Sequence, residues 1–155
     1  MSTVMPDVHP RLRAAKPDDL TAVERLLLTS SLPLEGVREA LPTFVVAVAG
    51  DDVVGVAGLE VRGQHALLRS VAVDPAWRSH GLGRALVTRA IADAEAKGLD
   101  ALYLLTTTAE RYFPSFGFHQ VTRDEVPDEV RTTAEFTQAC PESAVVMCRE
   151  CGAKR

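Results

Sequence analysis

Apolar and polar positions along this chain recur with two periods, and the changes of period mark its elements. Leu20, Val23, Leu26 and Leu27 keep the i, i+3, i+6, i+7 spacing of one buried helix face. Pro17-Asp18-Asp19 opens that helix, with acids suited to a first turn. Pro33 ends the run, and residues 34–41 predict a second short helix. Leu82, Leu86, Ala90, Ile91 and Ala94 trace a single stripe over 82–97, while Arg84, Thr88, Glu95 and Lys97 lie off it and Gly98 stops it. Short apolar runs at 11–15, 43–48, 53–61, 65–73, 101–105, 117–121 and 143–147 predict strands, the third of them holding Gly55 and Gly58. Turns at Gly50-Asp51-Asp52 and Arg62-Gly63-Gln64 make residues 43–73 a meander. The run at 101–105 is nearly all apolar, as in a strand buried on both faces. Strand, helix and strand from 65 to 105 then imply a parallel pair with a right-handed crossover. The pattern also predicts a short helix within 106–116, which Pro114 must kink or end, and a helix over 126–138.

Composition narrows the class. The 155 residues suit one domain with a proper core, with residues 1–9 as a flexible arm and 149–155 as a flexible tail. A net charge of −4 argues against a nucleic-acid partner. No apolar run approaches the roughly 18 residues of a membrane helix, and residues 1–10 carry no basic-then-apolar signal pattern. Three cysteines imply no disulfide framework, so a cytoplasmic setting is expected.

The most informative segment runs from Val71 to Leu86. An apolar strand passes a Pro75 corner into Arg78-Ser79-His80-Gly81-Leu82-Gly83 and directly into the helix. Glycines let backbone approach an anion closely, and the first N–H groups of a helix point outward with a partial positive charge. The segment is therefore a pyrophosphate socket flanked by Arg78 and Arg84. No Lys follows the second glycine, which excludes a P-loop. Leu86 stands where a dinucleotide turn needs its third glycine.

This segment resembles the coenzyme A motif of the GNAT superfamily of N-acetyltransferases. Phe113-Pro114-Ser115-Phe116-Gly117-Phe118 resembles that family's helix-to-strand junction, and the likeness covers roughly residues 10–125. The resemblance implies an α/β (α+β) fold: a mixed, mostly antiparallel sheet of six to seven strands, a splayed central parallel pair, and helices on both faces. It implies acetyl-CoA as co-substrate, without a metal, held at Val71, Ala72, Val73, Arg78, Ser79, His80, Gly81, Leu82, Gly83, Arg84 and Ala85. A main-chain N–H near Val71 would polarise the thioester carbonyl, and an amine would attack without an acyl-enzyme. The family's usual general-acid Tyr falls on Phe113, so either its neighbour Tyr112 serves or the thiolate leaves unaided. Glu60 is the first candidate base, with His65, His119 or a water chain as alternatives.

Two-residue strand periodicity sends Arg69 and Val71 to one face, so Arg69 is expected either to grip an acceptor carboxylate or to pair with a Glu at the rim. Ser70, Thr106, Thr107 and Arg111 join it as candidate acceptor contacts. The stretch from Leu104 to Phe113 is similar to bacterial amino-acid N-acetyltransferases. Residues 66–73, the triple Thr and residues 133–144 are similar to arsenic-resistance N-acetyltransferases. An amino-acid-like acceptor is implied, an organoarsenical glutamate analogue among the candidates, and dimers are common among such proteins. A peptide acetyltransferase and a non-catalytic coenzyme A-binding or arsenic-sensing module are the other readings. Cys148-x-x-Cys151 with Cys140 raises a soft-metal site, but a structural zinc usually needs four ligands, so the cysteines are read as incidental.

Overall fold

A computed structural model describes residues 9–78, 81–133, 136 and 144–151. Seven strands form one sheet in the order β1-β2-β3-β4-β5-β7-β6. They are β1 (Arg11–Ala14), β2 (Phe44–Ala49), β3 (Asp52–Arg62), β4 (His65–Val73), β5 (Ala101–Thr106), β6 (His119–Val121) and β7 (Val145–Glu150). The helices are α1 (Leu20–Thr29), α2 (Val37–Ala40), α3 (Leu82–Ala96) and α4 (Asp128–Arg131). Every strand pairing is antiparallel except β4 with β5.

The α3 stripe packs onto one sheet face, where Leu82, Leu86, Ala90, Ile91 and Ala94 meet Ala57, Leu68, Leu102 and Leu104. Two packed groups cover the other face. Val23, Leu26 and Leu27 of α1 and Val37 of α2 lie on Phe44, Val46 and Val56. Val130 of α4, with Val126 and Phe136, covers Leu67, Tyr103 and Val146. The two strand glycines have packing causes. A Cβ at Gly58 would meet the Phe44 ring at 2.3 Å, and one at Gly55 would meet Leu86 at 2.8 Å. Among the described residues no helix is long and apolar enough to cross a membrane.

The short helix expected within 106–116 is the 3-10 turn at Phe113–Phe116, and ahead of it the Thr106 hydroxyl accepts from Ala109 N–H at 2.9 Å. Two expectations are corrected. Over the described part of 126–138 the helix is the four-residue α4, preceded by a 3-10 turn at Arg123–Glu125, because Pro127 holds an extended backbone just before it; residues 134, 135, 137 and 138 lie outside the described residues. The supposed tail at 149–155 is structured at its start: β7 runs to Glu150, and buried Cys151 donates its N–H to Asp100 O at 2.9 Å.

Candidate active site

The parallel pair opens into a cleft. β4 and β5 pair only at His65, Ala66 and Leu67 against Ala101, Leu102 and Tyr103. Beyond that point the strands part. Asp74 N–H donates to Val54 O at 2.8 Å, which makes Val73 and Gly55 a non-bonded antiparallel pair. The N–H and C=O of Val73 therefore face the gap, and the Arg78 Nε–H donates to that carbonyl at 3.1 Å.

Two cavities of ≈ 590 Å³ each occupy the gap. The first is bounded by Val71, Ala72, Val73, Trp77, Arg78, Gly81, Leu82, Gly83 and Arg84. At its head Asp74 accepts from Ala76 N–H at 2.8 Å, closing the turn at Pro75–Trp77. Gly81 then takes φ 78° at the start of α3. The helical ladder begins with Ala85 N–H on Gly81 O, 3.1 Å, leaving the amides of Leu82, Gly83 and Arg84 ahead of it. Ala85 spends its N–H inside the helix and is not among the residues bounding this cavity. A cation in a helix's first turn opposes the macrodipole unless an anion joins it. Arg84 stands there, stacked 4.5 Å from the Phe116 ring and donating to Ser115 Oγ at 3.0 Å. The cradle suits the diphosphate of coenzyme A, because Gly83 leaves bare backbone that no protein atom needs: a Cβ there would find only ordinary 3.8 Å contacts. Ser79 and His80 lie outside the described residues.

The second cavity is lined by residues 31–33 and 35 on one side and by Arg69, Ser70, Val71, Thr106, Thr107 and Thr108 on the other. It meets the first at a ring formed by Leu32, Val71, Thr108 and Tyr112. Tyr112 reaches this ring because Phe113 turns into the core, against Phe118 at 5.7 Å. Ser31 and Ser70 are the non-glycine residues with positive φ among those described, at 59° and 60°, and both line this cavity. Ser31 closes α1: its N–H donates to Leu28 O and that of Leu32 to Leu27 O, a Schellman arrangement with Ser in the glycine position. The chain thereby turns across the cleft. Sequence reasoning missed Leu32, Pro33 and Glu35, which sit in no periodic run.

The shared face expected of Arg69 and Val71 is corrected by a bulge, while Arg69 still borders the second cavity and takes the Glu pairing that was its other expectation. Gly58 pairs with Arg69 and Val56 with Ala72, so Ser70 and Val71 oppose Ala57 alone. Strand parity inverts there: Leu67 and Ala72 share one face while Leu68 and Val71 share the other. Arg69 points away from Val71. Its side chain has 0% exposure, donating NH1 to Glu60 Oε1 at 3.1 Å, Nε to Ser70 Oγ at 3.0 Å and NH2 to Pro33 O at 3.4 Å. Glu60 is likewise corrected as the candidate base. It is buried, outside both cavity walls, and its Oε2 accepts from Arg62 at 2.6 Å.

Other candidates lie elsewhere. Arg111 is exposed and outside both walls. His65 pairs with Glu129 at 2.8 Å at the closed end of β4 and β5, and His119 is exposed on the edge strand β6. Cys148 and Cys151 belong to packed groups on opposite sheet faces. Burial pushes both thiols up, and it pushes the Tyr103 phenol beside Cys148 up to about 12. Cys140 lies outside the described residues.

The acetyltransferase (GNAT) family model matches residues 9–120. The amino-acid acetyltransferase of Mycobacterium tuberculosis is 34% identical over 134 residues, covering 80% of this chain and 76% of that protein. A ribosomal-protein alanine N-acetyltransferase of Haemophilus ducreyi is 32% identical over 76 residues, 46% of this chain and 52% of that protein. Among solved structures, a Mycobacterium tuberculosis protein in complex with CoA and NLQ superposes with TM-score 0.77 at 28% identity, covering 91% of this chain and 99% of that one. N-acetylglutamate synthase from Neisseria gonorrhoeae shares the fold, with TM-score 0.80 at 19% identity over 94% of this chain and 36% of that one.

Proposed function

The chain belongs to the acetyltransferase (GNAT) family and is an N-acetyltransferase with acetyl-CoA as co-substrate; from that premise we propose that its acceptor is the amine of a small amino-acid-like compound. The observation that carries this reading is the second cavity, joined to the cofactor cavity at the ring of Leu32, Val71, Thr108 and Tyr112. Its wall offers the hydroxyls of Ser31, Ser70, Thr106, Thr107 and Thr108. Arg69, which borders the cavity, Glu60 paired with Arg69, and Arg62 paired with Glu60 sum to one net positive charge, which favours a carboxylate there. Likeness to an amino-acid acetyltransferase supports the same acceptor class.

Acetyl-CoA supplies the activated acyl group. The amides of Leu82, Gly83 and Arg84, with Arg78 and Arg84, would hold its diphosphate. The Val71 N–H would donate to the acetyl oxygen and meet the charge that grows there. Val71 suits that task as the β4 residue common to both cavities. The acceptor nitrogen bonds to the acetyl carbon as the carbon–sulfur bond breaks. Tyr112, in the ring, would return a proton to the departing sulfur. The amine's proton leaves through cavity water, since two arginines already engage Glu60.

Thiol release in an acceptor panel tests this reading. The panel holds glutamate, glutamine, a glutamate-like organoarsenical, their decarboxylated counterparts and a peptide with N-terminal alanine. Turnover is expected with free amino acids and is expected to drop sharply without the carboxylate. Tyr112→Phe should lower kcat by about 10²-fold. Faster turnover of the peptide would overturn the acceptor class.

A further inference from the structure

The guanidinium of Arg69 sits where three parts of the site converge. Nε–H reaches the Ser70 hydroxyl in the bulge, NH1 reaches Glu60 on β3, and NH2 reaches the Pro33 carbonyl in the segment that walls the acceptor cavity. Arg62 holds the other oxygen of Glu60, so the carboxylate has one orientation. A fully buried ion pair is a weak source of stability, and an apolar packing could replace it. Stability alone therefore does not account for this network.

Ser70 does account for it. The Ser70–Val71 peptide unit is planar and carries the Val71 N–H, so the direction of that N–H follows the backbone of Ser70. Ser70 stands at φ 60°, a region that a residue with a side chain seldom adopts unaided. The rigid planar fork of Arg69 ties the Ser70 side chain to Glu60, and only Arg supplies both donors in fixed relation.

We propose that Arg69 and Ser70, fixed by Glu60, are positioning residues that aim the Val71 N–H at the acetyl carbonyl and hold the acceptor wall in register with it. The inference rests on the role proposed above for Val71. The same guanidinium touches the donor side through Ser70 and the acceptor side through Pro33, so it sets the distance between the two reactants.

The test uses the full chain with acetyl-CoA carrying ¹³C at the acetyl carbonyl, read by infrared difference spectroscopy. Binding to the wild type should lower the carbonyl stretching frequency. In Ser70→Ala and Arg69→Lys the band should return towards that of free acetyl-CoA. Loss of the aim of one such donor should lower kcat about tenfold or more, with CoA affinity by calorimetry retained. Ser70→Gly separates strain from bonding: it relieves the positive φ yet lacks the hydroxyl, so it should behave like Ser70→Ala. An unshifted band in the wild type would overturn the role of Val71. A shifted wild-type band that folded Ser70→Ala and Ser70→Gly variants retain, together with kcat, would overturn the positioning role alone. Should Arg69→Lys not fold, Ser70→Ala, which removes a single oxygen, decides.

Discussion

Nothing in the folded chain requires Gly83 to lack a side chain, and the proposed diphosphate site supplies a reason. It sits in a helix, where Gly is a poor choice, and its surroundings leave room for a methyl group. Gly81 differs, because its φ of 78° starts the helix and favours glycine on backbone grounds. Gly83→Ala should therefore stabilise the protein by about 0.5–1 kcal/mol. The added methyl would intrude on the cradle, so acetyl-CoA should bind about tenfold or more weakly, equivalent to about 1.4 kcal/mol. Thermal unfolding and titration calorimetry read the two effects separately. A stabilised variant with wild-type affinity would show that the diphosphate does not approach Gly83. The residue scale also divides what a sequence can reveal: the glycine spacing announces an anion cradle, whereas nothing in the letters around Glu60 announces that two arginines have already claimed it.

Elements were legible where a long period repeats. The stripes of α1 and α3 are each one buried face, so burial follows spacing. The bulge in β4 carries no such mark, because one extra residue reverses parity without altering the apolar run, and strand spacing alone therefore puts Arg69 and Val71 on one face when they lie on two. Pro127 ended a run that otherwise reads as helix. Short polar anchors are another element-scale feature. Asp19 closes the turn before α1, accepting from Lys16 N–H at 2.7 Å and from Arg13 at 2.8 Å. The Arg13 hydrogen bond holds its carboxyl below the usual range, against the opposing effect of burial. A carboxyl whose folded pKa is depressed stabilises the fold above its unfolded pKa and loses that contribution as pH falls through the folded value. Asp19→Asn should cost about 1–2 kcal/mol at pH 7, the scale of a hydrogen bond to a charged group. The cost should shrink as pH falls below about 4. Urea unfolding of both proteins across that range measures it, and a pH-independent gap would assign the effect to packing.

At the scale of the whole molecule the sheet is a partition. It puts α3 on one face and α1 with α2 on the other, and both cavities open where β4 and β5 have stopped pairing. The same partition governs the cysteines. In sequence, Cys148 and Cys151 look like a soft-metal clip, but three residues along an extended chain span two faces, and their thiols enter different packed groups. Neither can join the other around one ion without breaking β7 from its neighbours. Burial raises both thiols and so suppresses the reactive thiolate. In the native protein at neutral pH, alkylation of these two positions, followed by peptide mass spectrometry, should therefore be slow. It should become complete in denaturant, and arsenite or zinc should leave the native rate unchanged. Rapid native alkylation that arsenite blocks at both positions would mean that the end of β7 opens far more readily than its pairing with β5 implies.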